Sequence, residues 1–133
     1  MKKIVASLSF LLLTGISFSQ HNFSYDGIKI STKTEKCTDP NSRDNGYVYE
    51  VFTVTNTTNS PKVITYHIDA YYDGNCRTCE NNEYTYSVSL KPNETIVGTV
   101  KDKRKGLAIF SQDDTGMITD KMSDLKLSFV SVK

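Results

Sequence analysis

"ITYHIDAYY", residues 64–72, alternates between apolar and polar side chains in a way that indicates the fold class of the whole chain. Its apolar positions share one parity: Ile64, Tyr66, Ile68, Ala70 and Tyr72. Thr65, His67 and Asp69 lie between them. Successive side chains of a strand point to opposite faces of a sheet. The stretch therefore predicts a strand with one packed face and one face in water, on which His67 faces solvent.

The same period recurs along the chain, and helical spacing is nearly absent. It is regular in "EYTYSVSL" (83–90) and in "LKLSF" (125–129). "YVYEVFTVT" (47–55) is apolar on both parities, as expected of a more central strand. Tyr66, Tyr72, Tyr84 and Tyr86 share the apolar parity of their strands, which predicts core packing. Tyr47, Tyr49 and Tyr71 have the opposite parity, which predicts exposure.

Turn residues separate the strands at "NTTNSP" (56–61) and "KPNE" (91–94). A change of phase at Asp26-Gly27 suggests a bulge in the first strand. Polar residues 113–123 predict a loop or a single helical turn. The predicted strands are 23–36, 46–56, 62–73, 83–91, 95–101, 106–112 and 124–133. About seven short strands predict an all-β, immunoglobulin-like antiparallel β-sandwich; an eight-stranded barrel is the alternative.

The first 19 residues resemble a secretory signal peptide. Lys2 and Lys3 precede a stretch without charge, 4–16, and Ser17-Phe18-Ser19 offers small residues for cleavage before Gln20. The apolar stretch is short for a membrane anchor, which needs roughly 20 apolar residues. The sequence thus predicts a signal peptide, 1–19, and one exported domain, 20–133, without a transmembrane segment.

Charge and motifs exclude several classes of function. Of 16 Lys and Arg residues, loss of Lys2 and Lys3 leaves 14 against 15 Asp and Glu, a net charge of −1. A near-neutral chain has no broad field for nucleic acid. The basic cluster at 101–105 is expected to be a solvated turn. Nucleophile elbows, phosphate loops and zincin helices are absent, so neither catalysis nor a cofactor is predicted.

The three cysteines are the residues with the most distinctive chemistry. Cys37 falls in the loop after the first predicted strand, and Cys76 and Cys79 fall in the loop after the third. Alternate loops of an antiparallel sandwich share one end, so all three are expected there, together with the turn at 101–106. In an oxidising compartment a structural disulfide is favoured, with one cysteine left over. Which two of Cys37, Cys76 and Cys79 pair stays open.

Other uses of this loop end are weaker alternatives. "CRTC" has the spacing of a redox dithiol, but no helix N-terminus is predicted beside it. The three cysteines could also form part of a zinc site without an identified fourth ligand. "DPNSRDNG" (39–46) makes Asp39, Asn41 and Asp44 weak candidates for calcium, although Asp and Asn are also ordinary turn residues.

Residues 49–100 resemble a known class of module. The stretches "YEVFTVTNTTNSPKVITYHIDAYYDG" (49–74) and "YTYSVSLKPNETIVGTV" (84–100) are similar to CARDB and fibronectin type III-like modules of exported bacterial proteins. Those modules show strands ending in V-x-N-x-[GT], Y-x-G and L-x-P-[GN]-E. The resemblance implies an immunoglobulin-like fold and a noncatalytic role in adhesion, spacing or protein contacts.

The sequence therefore predicts a small exported binding or structural module in the periplasm, on the cell surface or outside the cell. Its partner would be an unidentified protein or envelope component. Recognition would use the cysteine loop end or strand addition at an open sheet edge. The competing hypothesis is a loop-borne thiol-redox or metal-binding protein that uses Cys37, Cys76 and Cys79.

The signal peptide has a direct test. When the full chain is expressed in a host that secretes it, Edman sequencing or mass spectrometry of the exported protein should place Gln20 at the N-terminus. An exported protein that still begins at Met1 would contradict the prediction.

Overall fold

The computed structural model describes residues 20–133, which form two antiparallel sheets and no α-helix. The predicted signal peptide, 1–19, lies outside the described residues. The chain is all-β, as its alternation predicted. Residues 20–133 contain no helix of the length and apolarity needed to cross a bilayer.

Residues 20–133 contain nine strands, with two short 3₁₀ turns between them. The strands are β1 (Asn22–Tyr25), β2 (Ile28–Lys36), β3 (Tyr47–Asn56), β4 (Lys62–Tyr72), β5 (Asn75–Cys76), β6 (Thr85–Leu90), β7 (Thr95–Val97), β8 (Ala108–Asp113) and β9 (Met122–Val132). The 3₁₀ turns are Asn82–Tyr84 and Lys103–Lys105.

The first sheet has the order β1-β2-β3, and the far side of β3 pairs with both β7 and β8. β7 pairs with Thr53–Thr55, and β8 pairs with Tyr47–Val51. The two run in the same direction and together form one edge strand, interrupted by residues 98–107. The turn at 101–106 therefore departs from the middle of β3, where Gly98 N–H donates to Phe52 O (2.9 Å), and not from the end of the sheet as expected.

The second sheet is built around β4. Along one side β4 pairs with β9 from Ile64 to Tyr72. On the other side Lys62–His67 pair with β6, and Tyr71 and Tyr72 pair with β5. That leaves a gap in the ladder at residues 68–70, which the loop after β5 fills.

The main core lies between the two sheets. β4 contributes the alternating residues predicted from the sequence, and Ile64, Tyr66, Ile68 and Ala70 are each at most 1% exposed. The facing sheet contributes Ile28, Ile30, Phe52 and Val54, and the strands that pair with β4 contribute Leu90 and Leu125. Packing of apolar residues from both sheets supplies the main stabilising term.

The bulge predicted at Asp26-Gly27 was wrong, because the chain reverses there. Tyr25 pairs with Ile28, and both turn residues have positive φ, 46° and 80°. These are the features of a type I′ hairpin turn, for which Asp-Gly is a favoured sequence. The first predicted strand, 23–36, is thus two strands, β1 and β2. Residues 114–121 form a loop without a helical turn.

Asn56 organises the turn between β3 and β4. It is fully buried, and its Nδ2 donates to Ser60 O (2.7 Å) and Lys91 O (3.1 Å). Its Oδ1 accepts from the backbone N–H and the hydroxyl of Thr58 (3.0 and 2.7 Å). A buried amide with all of these bonds made costs little and fixes the chain path from one sheet to the other.

Gly106 joins the interrupting segment, 98–107, to the second sheet. Its carbonyl accepts from the Tyr66 hydroxyl (2.6 Å) inside the core. Its φ is +74°, and a Cβ added there would lie 2.2 Å from Cγ of Tyr86. Only glycine combines this backbone conformation with so close an approach to a ring.

Gly106→Ala should therefore lower the free energy of unfolding by about 2–5 kcal/mol, from a left-handed backbone and from overpacking against Tyr86. Gly116→Ala is the matched control, since Gly116 has φ +78° but nothing within 4 Å of an added Cβ. It should cost only about 1–2 kcal/mol. Urea denaturation measures both variants. Equal losses of unfolding free energy in the two variants would contradict the close approach of Gly106 to the Tyr86 ring.

Candidate functional site

The structure joins Cys76 to Cys79 and leaves Cys37 as the odd cysteine. Cys37 is 6% exposed and packs with Tyr49, Val51 and Ala108 on the outer face of the first sheet. It is therefore not presented to a partner at the surface. The disulfide belongs to the second sheet, so the three cysteines do not form one cluster.

The loop that carries the disulfide continues the edge of β4. Asp73-Gly74 makes a tight turn that sets Cys76 opposite Tyr71. Arg77 N–H then donates to Ala70 O (2.9 Å). The hydroxyl of Thr78, a residue only 3% exposed, accepts from Ala70 N–H (2.8 Å).

The same hydroxyl donates to Ile68 O (2.6 Å), so one side chain satisfies a donor and an acceptor in the gap of the ladder. Buried backbone groups need such partners. The bonds to Ile68 and Ala70 give this loop, Cys76–Cys79, a structural purpose. The disulfide closes the ring of residues that presents Thr78.

His67 lies beneath this loop, and the expectation that it faces solvent was wrong. Its side chain is 12% exposed, because Nδ1 contacts Asp69 Oδ1 (2.8 Å) and Nε2 contacts Asn81 O (2.9 Å). Ser128 donates to the other oxygen of Asp69 (2.6 Å). The polar face of β4 is therefore covered locally by the loop.

The three residues predicted as calcium candidates make separate contacts in the loop between β2 and β3, and they do not converge on one site. Asp39 Oδ1 accepts from Asn41 N–H (3.0 Å), an ordinary turn bond. Asp44 Oδ2 accepts from the Tyr49 hydroxyl (2.8 Å) and lies 2.6 Å from Lys103 Nζ. Lys103 thus already neutralises Asp44, which removes the main reason for a calcium ion there.

A cleft of about 520 Å³ opens between β8, at the edge of the first sheet, and the β6 edge of the second. We call it the tyrosine cleft. Its aromatic walls are formed by Tyr47, Tyr49, Tyr72, Tyr84, Tyr86 and Phe110. Four charged residues from three loops complete the lining: Asp44, Glu83, Lys103 and Arg104. Its volume lies within the range of small-ligand sites.

Phe110 is the centre of the aromatic walls. Tyr47 and Tyr49 meet its ring edge-on, with centroids 5.4 and 6.2 Å away. The ring of Tyr72 stacks on it at 6.2 Å, and the Tyr72 hydroxyl donates to the carbonyl of Phe110. Edge-on and offset ring pairs are favourable arrangements that hold each ring in place. Phe110 and the rings of Tyr47, Tyr49 and Tyr72 therefore hold one another in place.

Tyr49 was predicted to be exposed and is only 2% exposed. It lies on the outer face of the first sheet, as its parity requires, but Lys103 covers it with Nζ 5.8 Å from the ring centroid. The sequence pattern correctly predicted the sheet face on which Tyr49 lies, but it did not indicate that segment 98–107 covers this residue. Tyr66 and Tyr72 are buried as predicted.

Burial raises the pKa of three tyrosines of the cleft, Tyr49, Tyr72 and Tyr86. Burial, followed by the hydrogen bond to Asp44, raises the pKa of Tyr49 well above its usual value. Burial also raises the pKa values of Tyr72 and Tyr86. The hydrogen bond from Lys103 is the main cause that lowers the pKa of Asp44. Tyr49 thus presents a neutral phenol beside the ion pair of Asp44 and Lys103.

Comparisons of this chain with protein family models, curated proteins and solved structures found no match. The resemblance to CARDB and fibronectin type III-like modules therefore rests on the strand and turn signals of residues 49–100.

Thr78→Val should lower the free energy of unfolding by about 1–3 kcal/mol, because it leaves the buried N–H of Ala70 and the carbonyl of Ile68 without partners. Thr78→Ser keeps the hydroxyl and should stay within about 1 kcal/mol of the parent protein. Denaturant titration compares the two variants. If Val were as well tolerated as Ser, the role given to the hydroxyl would be wrong.

Proposed function

We propose that this protein is a small exported, noncatalytic, immunoglobulin-like β-sandwich module that binds a polypeptide segment of a partner in the tyrosine cleft. The partner would lie in the periplasm, on the cell surface or outside the cell. The observation that carries the proposal is the cleft itself, which is lined by six aromatic rings beside charges of both signs.

The immunoglobulin-like assignment draws support from the order of the strands. The chain crosses from β3 in one antiparallel sheet to β4 in the other. The interrupted β7–β8 edge lies beside β3, while β9 and β6 flank β4. Export draws support from the first 19 residues and from the Cys76–Cys79 bond, which an oxidising compartment would preserve.

A polypeptide fits the chemistry of the cleft better than a nucleic acid does. Tyrosine rings give a large contact area with few torsions to fix, which is why they dominate protein-binding surfaces. The walls would accept one apolar or aromatic side chain of the partner as an anchor. A nucleic acid would need several unpaired cationic side chains in the cleft. Lys103 does not supply one, because it forms an ion pair with Asp44.

Glu83 and Arg104 supply the charges that remain for a partner. Both are exposed at the rim, and neither makes an ion pair within residues 20–133. Asp44 is held by Lys103 and Tyr49 and acts as a support for the wall. Opposite charges on the rim favour a segment with a basic residue on one side of its anchor and an acidic residue on the other.

The competing redox hypothesis has less support. The Cys76–Cys79 loop is bonded to β4 through Thr78 and Arg77, and within residues 20–133 no α-helix begins beside the pair, the feature that activates the thiols of many dithiol oxidoreductases. Dithiol exchange needs an accessible pair that opens at low cost. These bonds favour a structural disulfide in the binding module.

The test is selection of a random peptide library displayed on phage against the immobilised domain, 20–133. Enriched peptides should share an aromatic or large apolar residue. Because tyrosine anchors are typical hot spots, Tyr84→Ala should weaken their binding by about 2 kcal/mol, or roughly 30-fold. Arg104→Glu should weaken binding of peptides that carry an acidic residue.

Tyr25→Ala is the matched control, since Tyr25 is 50% exposed and stacks on Phe129 away from the cleft. It should leave peptide affinity unchanged while removing the same ring. Equal affinity of the parent and Tyr84→Ala proteins, or no enrichment at all, would overturn the proposed site.

A further inference from the structure

A second group of reactive side chains lies on the outer face of the second sheet, apart from the tyrosine cleft. The two sulfurs of Cys76 and Cys79 and a carboxylate oxygen of Asp69 all lie within 4.8 Å of one another. Asp69 comes from the middle of β4, and the cysteines come from the loop that covers it. Three potential metal ligands thus converge from two segments of the chain.

Asp69 is held in place by its own partners. His67 Nδ1 lies 2.8 Å from Oδ1, and the hydroxyl of Ser128 in β9 donates to Oδ2 (2.6 Å). Partners of this kind orient the groups that ligate metals and tune their affinity. The carboxylate therefore keeps a fixed position below the sulfurs, and it does not depend on the disulfide to do so.

We propose that the loop, when the Cys76–Cys79 bond is reduced, binds one thiophilic divalent cation of the Zn²⁺ class through both sulfurs and Asp69. The spacing C-x₂-C is that of a zinc knuckle, and thiolates select such cations over magnesium or calcium. Three protein ligands leave the fourth position of a tetrahedral ion for water. The proposal is independent of the tyrosine cleft.

The chemistry proceeds in two balanced steps. A small dithiol reductant gives two electrons and two protons to the disulfide: the S–S bond breaks, two thiols form, and the reductant becomes a cyclic disulfide. The cation then displaces both thiol protons to solvent as the two metal–sulfur bonds form.

The proposed ligand set is two thiolates and one carboxylate, which are groups that a divalent cation of the Zn²⁺ class accepts. Cys37 takes no part, because it packs beside Tyr49 and Val51 on the other sheet. This ligand set differs from the one expected from the sequence, since Asp69 replaces Cys37.

The test uses Co²⁺ as the probe, because cobalt thiolates absorb in the near ultraviolet. The domain is reduced with dithiothreitol, freed of reductant without oxygen, and titrated. One Co²⁺ should bind per chain, and addition of Zn²⁺ should abolish the absorption. The oxidised domain should show none. Absence of a one-to-one complex in the reduced domain would overturn the proposal.

Asp69→Asn should weaken the reduced domain's affinity for Co²⁺ by about tenfold or more, the loss that even supporting residues of metal sites cause. Asp124→Asn removes the same charge from β9, the strand that pairs with β4, and it should leave the affinity for Co²⁺ unchanged. Cys37→Ser should do likewise. Affinity that survives Asp69→Asn, as two thiols of an unfolded chain would give, contradicts a built site.

A thermal melt of the reduced domain gives an independent readout. Zn²⁺ in excess should raise its melting temperature, since an ion that binds only the folded site stabilises it. The oxidised domain should not respond. No shift in the reduced domain would count against a site formed by the folded loop and β4.

Discussion

The rest of this structure depends on one constraint in β4. Its backbone groups between the segments that pair with β6 and β5 must find hydrogen-bond partners. β6 ends its pairing at His67 and β5 begins at Tyr71, so Ile68 and Ala70 present backbone groups that no strand reaches. The Thr78 hydroxyl bonds to both residues in that gap, and Arg77 N–H donates to the carbonyl of Ala70. Because β4 is the central strand of its sheet, an open gap would leave these buried backbone groups without hydrogen-bond partners.

The position of the loop that carries Thr78 determines where the tyrosine cleft and the proposed cation site lie. The chain leaves Thr78, passes the Asn81 carbonyl that holds His67, and enters the 3₁₀ turn that delivers Glu83 and Tyr84 to the tyrosine cleft. The same loop carries the two sulfurs over Asp69. Fold, cleft and proposed cation site thus share one segment of about ten residues. The opposite wall of the cleft depends on a second interruption, between β7 and β8, where Gly106 approaches Tyr86.

Strands whose apolar and polar residues alternate could be predicted from the sequence. Features that arise where a strand is interrupted by a turn or a loop could not. Alternation in β4 predicted the burial of Ile64, Tyr66 and Ile68, since burial of one face imposes period two. The hairpin at Asp26-Gly27 was missed although its turn signal was present, because a phase change alone does not distinguish a bulge from a reversal. The burial of Tyr49 and His67 depends on distant loops, which cover positions whose parity points to solvent. Likewise, no sequence pattern marks Asp69 as a neighbour of the cysteines.

Amide hydrogen exchange measured by NMR at Ala70 and Arg77 tests the central claim most directly. If the loop completes the ladder of β4, both amides should be protected in the oxidised domain as strongly as those of neighbouring residues paired with β6, because exchange then requires opening of the sheet. Exchange of Ala70 and Arg77 at the rate of an exposed loop, with the β6 pairs still protected, would contradict it.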